Sequence, residues 1–151
     1  RHGLVWAEWG VNVPSPPPSV IKTAALDGTG VSVLVPGLMG VWRLAVDDDS
    51  VFYATGTRID RVPRSGGTPV HVYDTREHLP LDALTVSGDW VYYSWLGAIG
   101  KVRTDGSDNR ILVVDDPGSR RPTIDIVRQL VVAGDWLYWA EDGGAVRAVP
   151  K

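Results

Sequence analysis

Residues 84–106 read LTVSGDWVYYSWLGAIGKVRTDG and contain an apolar run, a Gly-Asp turn, an aromatic run, a third apolar run and an Asp-Gly turn. Glycine accepts positive φ, and an aspartate side chain can hydrogen-bond to nearby backbone amides, so both pairs are typical of tight turns. Short apolar runs that are separated by such turns indicate antiparallel strands. This stretch therefore predicts three consecutive strands of one sheet.

The aromatic run recurs along the chain. The four runs begin at residues 4, 51, 91 and 137, so they lie 47, 40 and 46 residues apart. They are Leu4-Val5-Trp6-Ala7, Val51-Phe52-Tyr53-Ala54, Val91-Tyr92-Tyr93-Ser94 and Leu137-Tyr138-Trp139-Ala140. A repeat in the forties is typical of propeller blades and of HEAT or armadillo units, and the strand pattern inside each unit favours the blade.

The sequence predicts an all-β fold, a β-propeller built of four-stranded antiparallel blades. A strand precedes each of the last three aromatic runs, two strands follow each of the first three, and one follows the last, which gives fourteen strands. That is about 3.5 blades, a partial propeller. We expect a single domain over residues 1–151, with blade units at about 4–40, 41–80, 81–123 and 124–151.

Aromatic residues that recur in every unit are expected to be structural. Trp6, Tyr53, Tyr93 and Trp139 occupy the same position of the repeat and are predicted to lie in the core. Trp90 and Trp136 each follow a Gly-Asp turn and are predicted to pack against it.

The pattern of residues 84–106 resembles the bacterial β-propeller repeats that are related to YWTD and NHL-like six-bladed propellers. The resemblance covers nearly the whole chain, and its motifs are structural: turn aspartates, turn glycines and aromatic strands. It implies a fold and not an activity, since such proteins include extracellular ligand-binding modules, receptor sensor domains and lyases. An extracellular or periplasmic location is implied by the resemblance alone.

Fourteen strands are fewer than six blades of four strands require, so this chain cannot close such a ring by itself. The first unit is expected to lack its inner strand and the last unit its outer strand. The expected partners are therefore the remaining blades of a longer chain or further copies of this one. Exposed blade faces and strand edges favour such association.

Composition and charge exclude several kinds of partner and chemistry. Fifteen basic and eighteen acidic residues give a net charge of -3, which provides no electrostatic reason to bind nucleic acid. No apolar run approaches the roughly 18–20 residues of a membrane span. The chain has no cysteine, its three histidines follow no zinc spacing, and its acidic turns complete no calcium loop. No metal, cofactor or catalytic residue is predicted.

Binding residues are expected at one edge of the blades, where the predicted connections vary most in length. The turns at the opposite edge, between first and second and between third and fourth strands, are predicted to be uniformly tight. The long connections lie at residues 10–19, 74–80 and 115–125. The predicted ligand-binding residues are the tryptophans and charged residues near this edge: Trp9, Trp42, Trp95, Arg76, Glu77, His78, Arg120 and Arg121.

The three tryptophans break the repeat, because other units have polar or charged residues at the same positions. The aligned residues are Trp9 with Asp142, Trp95 with Glu141 and Glu8, and Trp42 with Asp82 and Arg128. An exposed tryptophan can stack on sugars, peptides or cations. Packing against a neighbouring loop or blade is the alternative for the tryptophans, and solvation is the alternative for the charged residues.

Three functions remain open. The first is a non-enzymatic binding module that presents its loop-rich edge to a protein, a peptide or a carbohydrate. The second is part of a propeller enzyme, a lyase or a hydrolase, whose site is shared between blades; convergent charged residues near the axis would favour it. The third is a purely structural assembly unit, which a symmetric oligomer with every tryptophan buried would favour.

Overall fold

A computed structural model describes residues 3–9, 18–75, 79–114 and 124–151, and within these residues it contains strands and no helix. The strands are β1 (Leu4–Glu8), β2 (Ser19–Ala24), β3 (Ser32–Leu38), β4 (Val41–Val46), β5 (Ser50–Thr55), β6 (Arg58–Pro63), β7 (Val70–Asp74), β8 (Leu81–Ser87), β9 (Trp90–Trp95), β10 (Ala98–Arg103), β11 (Arg110–Val114), β12 (Val127–Ala133), β13 (Trp136–Glu141) and β14 (Val146–Pro150). The described part of the chain has no helix long and apolar enough to cross a membrane.

The fourteen strands form four antiparallel sheets, which we call blades 1 to 4. Blade 1 contains β1–β3, blade 2 contains β4–β7, blade 3 contains β8–β11 and blade 4 contains β12–β14, each in chain order. The first strands of blades 2, 3 and 4 lie side by side, since β8 contacts both β4 and β12. The prediction of an all-β partial propeller of about 3.5 blades is confirmed.

Each blade has two sides, and successive residues of a strand point to these two sides in alternation. We call the side of a blade that is directed toward the next blade its forward side. This side carries Val5 in blade 1, Phe52 in blade 2, Tyr92 in blade 3 and Tyr138 in blade 4. We call the side that is directed toward the preceding blade the backward side. This side carries Trp6 in blade 1, Tyr53 in blade 2, Tyr93 in blade 3 and Trp139 in blade 4. Cores form where a forward side meets a backward side, as when Phe52 of blade 2 packs with Tyr93 of blade 3.

Three such cores connect the four blades. The core between blades 1 and 2 contains Ile21, Val35, Val41, Val51, Tyr53 and Val62. The core between blades 2 and 3 includes Phe52, Ile59, Val72, Leu84, Val91 and Tyr93. The core between blades 3 and 4 includes Tyr92, Ile99, Val127, Leu130, Leu137 and Trp139. Apolar burial of this kind is the main stabilising contribution to folding.

The predicted core aromatics are buried at three of four positions. Tyr53, Tyr93 and Trp139 are buried, which confirms the prediction for them. Trp6 is only partly buried. The physical reason is its place on the backward side of blade 1, which no described blade covers.

The two turn tryptophans differ in their surroundings. Trp90 lies beneath cations, with Lys101 Nζ 4.4 Å and Arg103 Cζ 4.5 Å from its ring centroid. Trp136 is about half exposed, and its packing against its turn stays a prediction from the sequence. Trp136 belongs to β13 in the last blade, where no following blade covers the sheet.

The connections define two edges. The turn edge carries two groups of connections. Those at residues 47–49, 88–89 and 134–135 are tight turns, and those at residues 25–31, 64–69 and 104–109 are six or seven residues long. The prediction of uniformly tight turns is therefore wrong for the second group. Asp27 and Asp105 stabilise two of these longer connections: Asp27 Oδ1 accepts a hydrogen bond from Thr29 N at 3.0 Å, and Asp105 Oδ1 accepts one from Ser107 N at 2.9 Å.

The loop edge is the opposite one. Among the described residues it carries the connections at residues 39–40, 56–57, 96–97 and 142–145. Both edges follow from the antiparallel order of the strands within each blade.

We predict that Ser94→Ala stabilises the chain. Ser94 is buried, and its hydroxyl has no hydrogen-bond partner among the described residues. The other repeats have alanine at this position: Ala7, Ala54 and Ala140. Removing an orphaned buried hydroxyl should raise the free energy of unfolding by about 1–2 kcal/mol in urea unfolding. The exposed-turn control Ser65→Ala should change it by less than about 0.5 kcal/mol, and a destabilised Ser94→Ala would contradict the prediction.

We predict the opposite for Gly100→Ala. A Cβ atom at Gly100 would lie 2.9 Å from Tyr93 Oη and 3.2 Å from the carbonyl oxygen of Arg110. Overpacking of this kind should lower the free energy of unfolding by about 1–3 kcal/mol, measured in the same urea titration. Stability equal to that of the Ser65→Ala control would show that the ring of Tyr93 does not lie against Gly100.

Candidate functional site

The first strands of blades 2, 3 and 4 share an irregularity at the loop edge. In each, the register with the next strand shifts around the second residue, which is Trp42 in β4, Asp82 in β8 and Arg128 in β12. A β-bulge bends the strand locally and re-aims the side chain of the extra residue. We call Trp42, Asp82 and Arg128 the bulge residues. Three successive blades thus offer an indole, a carboxylate and a guanidinium at one equivalent position.

The inner strands also enclose an open groove. Its volume is about 330 Å³. It is lined by Arg43, Leu44, Ala45, Val46, Ala83, Leu84, Thr85, Val86, Arg128, Gln129 and Leu130. The apolar residues provide contact area, and the two arginines lie toward the loop edge, because they stand near the start of their strands.

Trp42 forms an aromatic pair with Trp9. The two ring centroids are 4.8 Å apart and the ring planes are at 88°, an edge-to-face arrangement. Trp9 Nε1 donates a hydrogen bond to the carbonyl oxygen of Val41 at 3.1 Å, which fixes its ring beside β4. Both side chains remain open to solvent, Trp9 at 51% and Trp42 at 54% exposure. Large exposed aromatics held in one geometry are suited to binding.

The short connection between β3 and β4 helps to position Trp42. Gly40 has a φ of 74°, a backbone conformation that residues with a side chain rarely adopt. A Cβ atom at Gly40 would lie 3.4 Å from Trp42 Nε1. Glycine is therefore favoured here both by the backbone conformation and by the indole beside it.

Asp82 is half-buried between two arginines. Burial raises the pKa of Asp82 above its ordinary value, and the charges of Arg43 and Arg128 lower it by less. Arg43 spans two blades, because its guanidinium donates to the carbonyl oxygen of Trp42 at 2.8 Å and to that of Asp82. The carboxylate thus lies in a partly desolvated place where a cationic group of a ligand would be attracted to it.

Arg128 is held by Asp142. Two nitrogens of the guanidinium donate to the two carboxylate oxygens, a bidentate pair. This pair raises the pKa of Arg128 and lowers the pKa of Asp142. Both residues are exposed, so the pair positions the guanidinium more than it stabilises the fold.

The structure brings together two of the predicted binding residues, Trp9 and Trp42. Trp95, at the end of β9, is partly buried, and its ring stacks on Tyr93 with centroids 5.4 Å apart in the core between blades 2 and 3. The predicted residues that lie outside the described part of the chain are Arg76, Glu77, His78, Arg120 and Arg121.

Sequence reasoning did not select Arg43, Asp82 or Arg128 as site residues. The available signal was the alignment that places Trp42, Asp82 and Arg128 at one position of the repeat. In successive inner strands this position holds an indole, a carboxylate and a guanidinium, whereas the preceding position is apolar in all three: Val41, Leu81 and Val127. Among the described residues, no group of three or more histidines or carboxylates could hold a metal ion.

Comparison with known proteins gives matches at the level of structure. No protein-family model and no curated protein matches the sequence. A chain of the nidogen–laminin complex matches with a TM-score of 0.73 and 18% identity, over 87% of this chain and 52% of that one. The calcium-binding protein regucalcin from Agrobacterium tumefaciens matches with a TM-score of 0.62 and 18% identity, over 89% of this chain and 49% of that one.

A third match is BamB from Moraxella catarrhalis, with a TM-score of 0.54 and 17% identity, over 85% of this chain and 37% of that one. This chain spans about half the length of the nidogen and regucalcin chains, and at such low identities the likeness shows the fold alone. All three are β-propellers, nidogen of the YWTD type and regucalcin of an NHL-like type. The chain is therefore a β-propeller repeat protein that resembles the YWTD and NHL-like propellers.

Proposed function

We propose that this chain is a non-enzymatic binding module whose loop edge binds an extended peptide segment of a partner protein. The observation that carries the proposal is the half-exposed pair of Trp9 and Trp42, fixed edge to face beside the first strand of blade 2. Tryptophan and arginine are the residues most enriched among those that dominate protein–protein binding energy. A rigid blade that presents them supplies contact area at a low entropic cost.

The charges around this pair support a peptide ligand. Asp82 provides a partly buried carboxylate for a lysine, an arginine or a terminal amine. The groove along the inner strands combines apolar surface with Arg43, Thr85 and Gln129, which suits a chain of alternating side chains and backbone amides. Nidogen, which shares the fold, has been crystallised in a complex with laminin, and this supports a protein as the class of partner.

The loop residues that the sequence selected remain part of the proposal. Arg76, Glu77 and His78 lie in the sequence between β7 and β8, and Arg120 and Arg121 lie between β11 and β12. Their role as charged contacts to the same ligand is a prediction from the sequence.

A second candidate function, catalysis, is favoured by one observation. Asp82 has a raised pKa and lies between the charges of Arg43 and Arg128, and perturbed carboxyls near a groove occur at active sites. A general acid or base at Asp82 would act on a ligand bound in the groove. The two functions differ in whether the bound molecule is changed.

The experiment that tests the proposal is selection from a phage-displayed library of random linear peptides on the immobilised chain, in parallel with a glycan array. Enrichment of a peptide family supports the proposal, and binding to glycans alone would replace the peptide with a carbohydrate. Mass spectrometry of the bound ligand after incubation distinguishes binding from catalysis. An Asp82-dependent change in ligand mass would favour the enzyme.

We predict that Trp42→Ala weakens binding of the selected peptide by about 30-fold, the factor that corresponds to the ~2 kcal/mol of a dominant interface tryptophan. The matched control is Leu26→Ala, an exposed apolar residue at the turn edge, which should leave the dissociation constant unchanged. Isothermal titration calorimetry measures both. Equal affinities of the two variants would contradict the proposed site.

We predict that Asp82→Asn makes stability less dependent on pH. Because the folded-state pKa of Asp82 is raised, the folded chain loses stability as the pH rises through that pKa. The amide carries no such penalty, so the gain in stability of the variant over the native chain should be larger at about pH 7 than below about pH 4, where the carboxyl is protonated in both the folded and the unfolded chain. Urea unfolding across this range measures the difference, with the exposed-turn variant Asp135→Asn as the control. A gain that is constant with pH would be inconsistent with burial as the cause.

A further inference from the structure

The forward side of blade 4 is built like the interior of the propeller but lies open. Tyr138 is 39% exposed, whereas its counterparts Phe52 and Tyr92 are 0% and 1% exposed. Those two are buried because the next blade covers them. An exposed aromatic residue at a position that is buried in blades 2 and 3 indicates a surface suited to being covered.

A second residue of the same side shows the same difference. Val146 of β14 is 73% exposed, and its repeat counterparts Ile21, Ile59 and Ile99 are each 0% exposed. Register confirms the equivalence, since Val146 pairs with Ala140 as Ile59 pairs with Ala54. With Val131 and Trp136, these residues form one open apolar surface.

The backward side of blade 1 is open in the complementary way. Leu4 is 45% exposed, whereas its counterparts Val51, Val91 and Leu137 are 0% exposed. Register again supports the comparison, because Leu4 of β1 pairs with Ala24 of β2 as Val51 of β5 pairs with Val62 of β6. This side corresponds to the side of blades 2, 3 and 4 that packs on the preceding blade.

Blade 4 shows what a covered backward side looks like. Trp139 Nε1 donates to Glu141 Oε1 at 2.8 Å, and Arg147 Nε lies 3.0 Å from the same oxygen. Trp139 is buried in the core between blades 3 and 4, and Glu141 is also buried. The indole is thus hydrogen-bonded to a carboxylate that a cross-strand ion pair holds in place.

Blade 1 repeats this arrangement on its open side. Trp6 Nε1 donates to Glu8 Oε1 at 2.7 Å, and Lys22 Nζ lies 2.6 Å from Glu8 Oε2. The register is the same, since Trp6 pairs with Lys22 as Trp139 pairs with Arg147. Blade 1 therefore presents the side chains that blade 4 uses to pack on blade 3.

We propose that the forward side of blade 4 binds the backward side of blade 1 of a second copy of this chain. The contact continues the interface that already joins blades 3 and 4 inside one copy. In that interface Tyr92 and Ile99 pack with Leu137 and Trp139. The equivalent residues between copies are Tyr138 and Val146 of one copy and Leu4 and Trp6 of the other.

This association is head-to-tail, because the two contributing surfaces are different. Each copy has one surface of each kind, so copies join into a closed ring or into an open chain. Association through two identical surfaces is a different arrangement, in which either surface alone would suffice for a dimer. The distinction can be tested by blocking one surface at a time.

The test uses two blocking variants, Val146→Arg on blade 4 and Leu4→Arg on blade 1. Both positions are exposed in a single copy, so an arginine there is tolerated by the fold while it obstructs an apolar contact. The matched control is Met39→Arg at the loop edge, an exposed residue outside both surfaces. Sedimentation velocity across a concentration series gives the mass of each sample.

We expect the native chain and Met39→Arg to assemble with rising concentration, and each blocking variant alone to be monomeric. An equal mixture of the two blocking variants should give a complex of two chains, because one intact pair of surfaces remains. A native chain that stays monomeric at all concentrations would overturn the proposal and leave further blades of a longer polypeptide to cover these sides. Assembly of either blocking variant alone would also overturn it.

Circular dichroism checks that each variant keeps its strands. If a blocking variant unfolds, Trp136→Lys replaces it for blade 4 and Val33→Lys for blade 1, since Val33 pairs with Lys22 on the same side and is exposed. The same outcomes then apply. Large aggregates that none of these variants reduces would contradict a specific head-to-tail contact.

Discussion

The structure depends on one constraint: every blade has two apolar sides, and each side can be buried only against a neighbouring blade. Phe52 and Tyr53 are adjacent in β5, yet one packs on blade 3 and the other on blade 1. Such a sheet cannot be stable by itself, as in repeat proteins generally, because both of its apolar sides would remain in water. The stacking of blades is therefore the source of stability and not a consequence of it.

The same constraint places the candidate site. Stacking brings the first strands of blades 2, 3 and 4 side by side, and the bulge residues then lie in succession at the loop edge. Stacking also joins Trp9 of blade 1 to Trp42 of blade 2. The site is thus made between blades, because Trp9 and the three bulge residues belong to four different blades.

Much of the fold was predictable from the sequence, because the Gly-Asp turns and the alternating aromatic strands are local features. The order of the strands within each blade and the burial of Tyr53, Tyr93 and Trp139 follow from them. The contact of Trp9 with Trp42 was not predictable in detail, since it depends on a bulge in β4 and on a hydrogen bond to Val41. The exposure of Trp136 was also missed, because a repeat pattern treats every copy as if it had two neighbours.

The most direct test of this account is hydroxyl-radical footprinting of the chain at a concentration low enough to keep it monomeric. The rate of side-chain oxidation follows solvent exposure, and Phe52, Tyr92 and Tyr138 occupy one position of the repeat. We expect rapid oxidation of Tyr138 and strong protection of Phe52 and Tyr92, because among the described blades only the last has no following blade to cover it. Equal oxidation of the three residues would contradict the assignment of forward and backward sides on which both the site and the association rest.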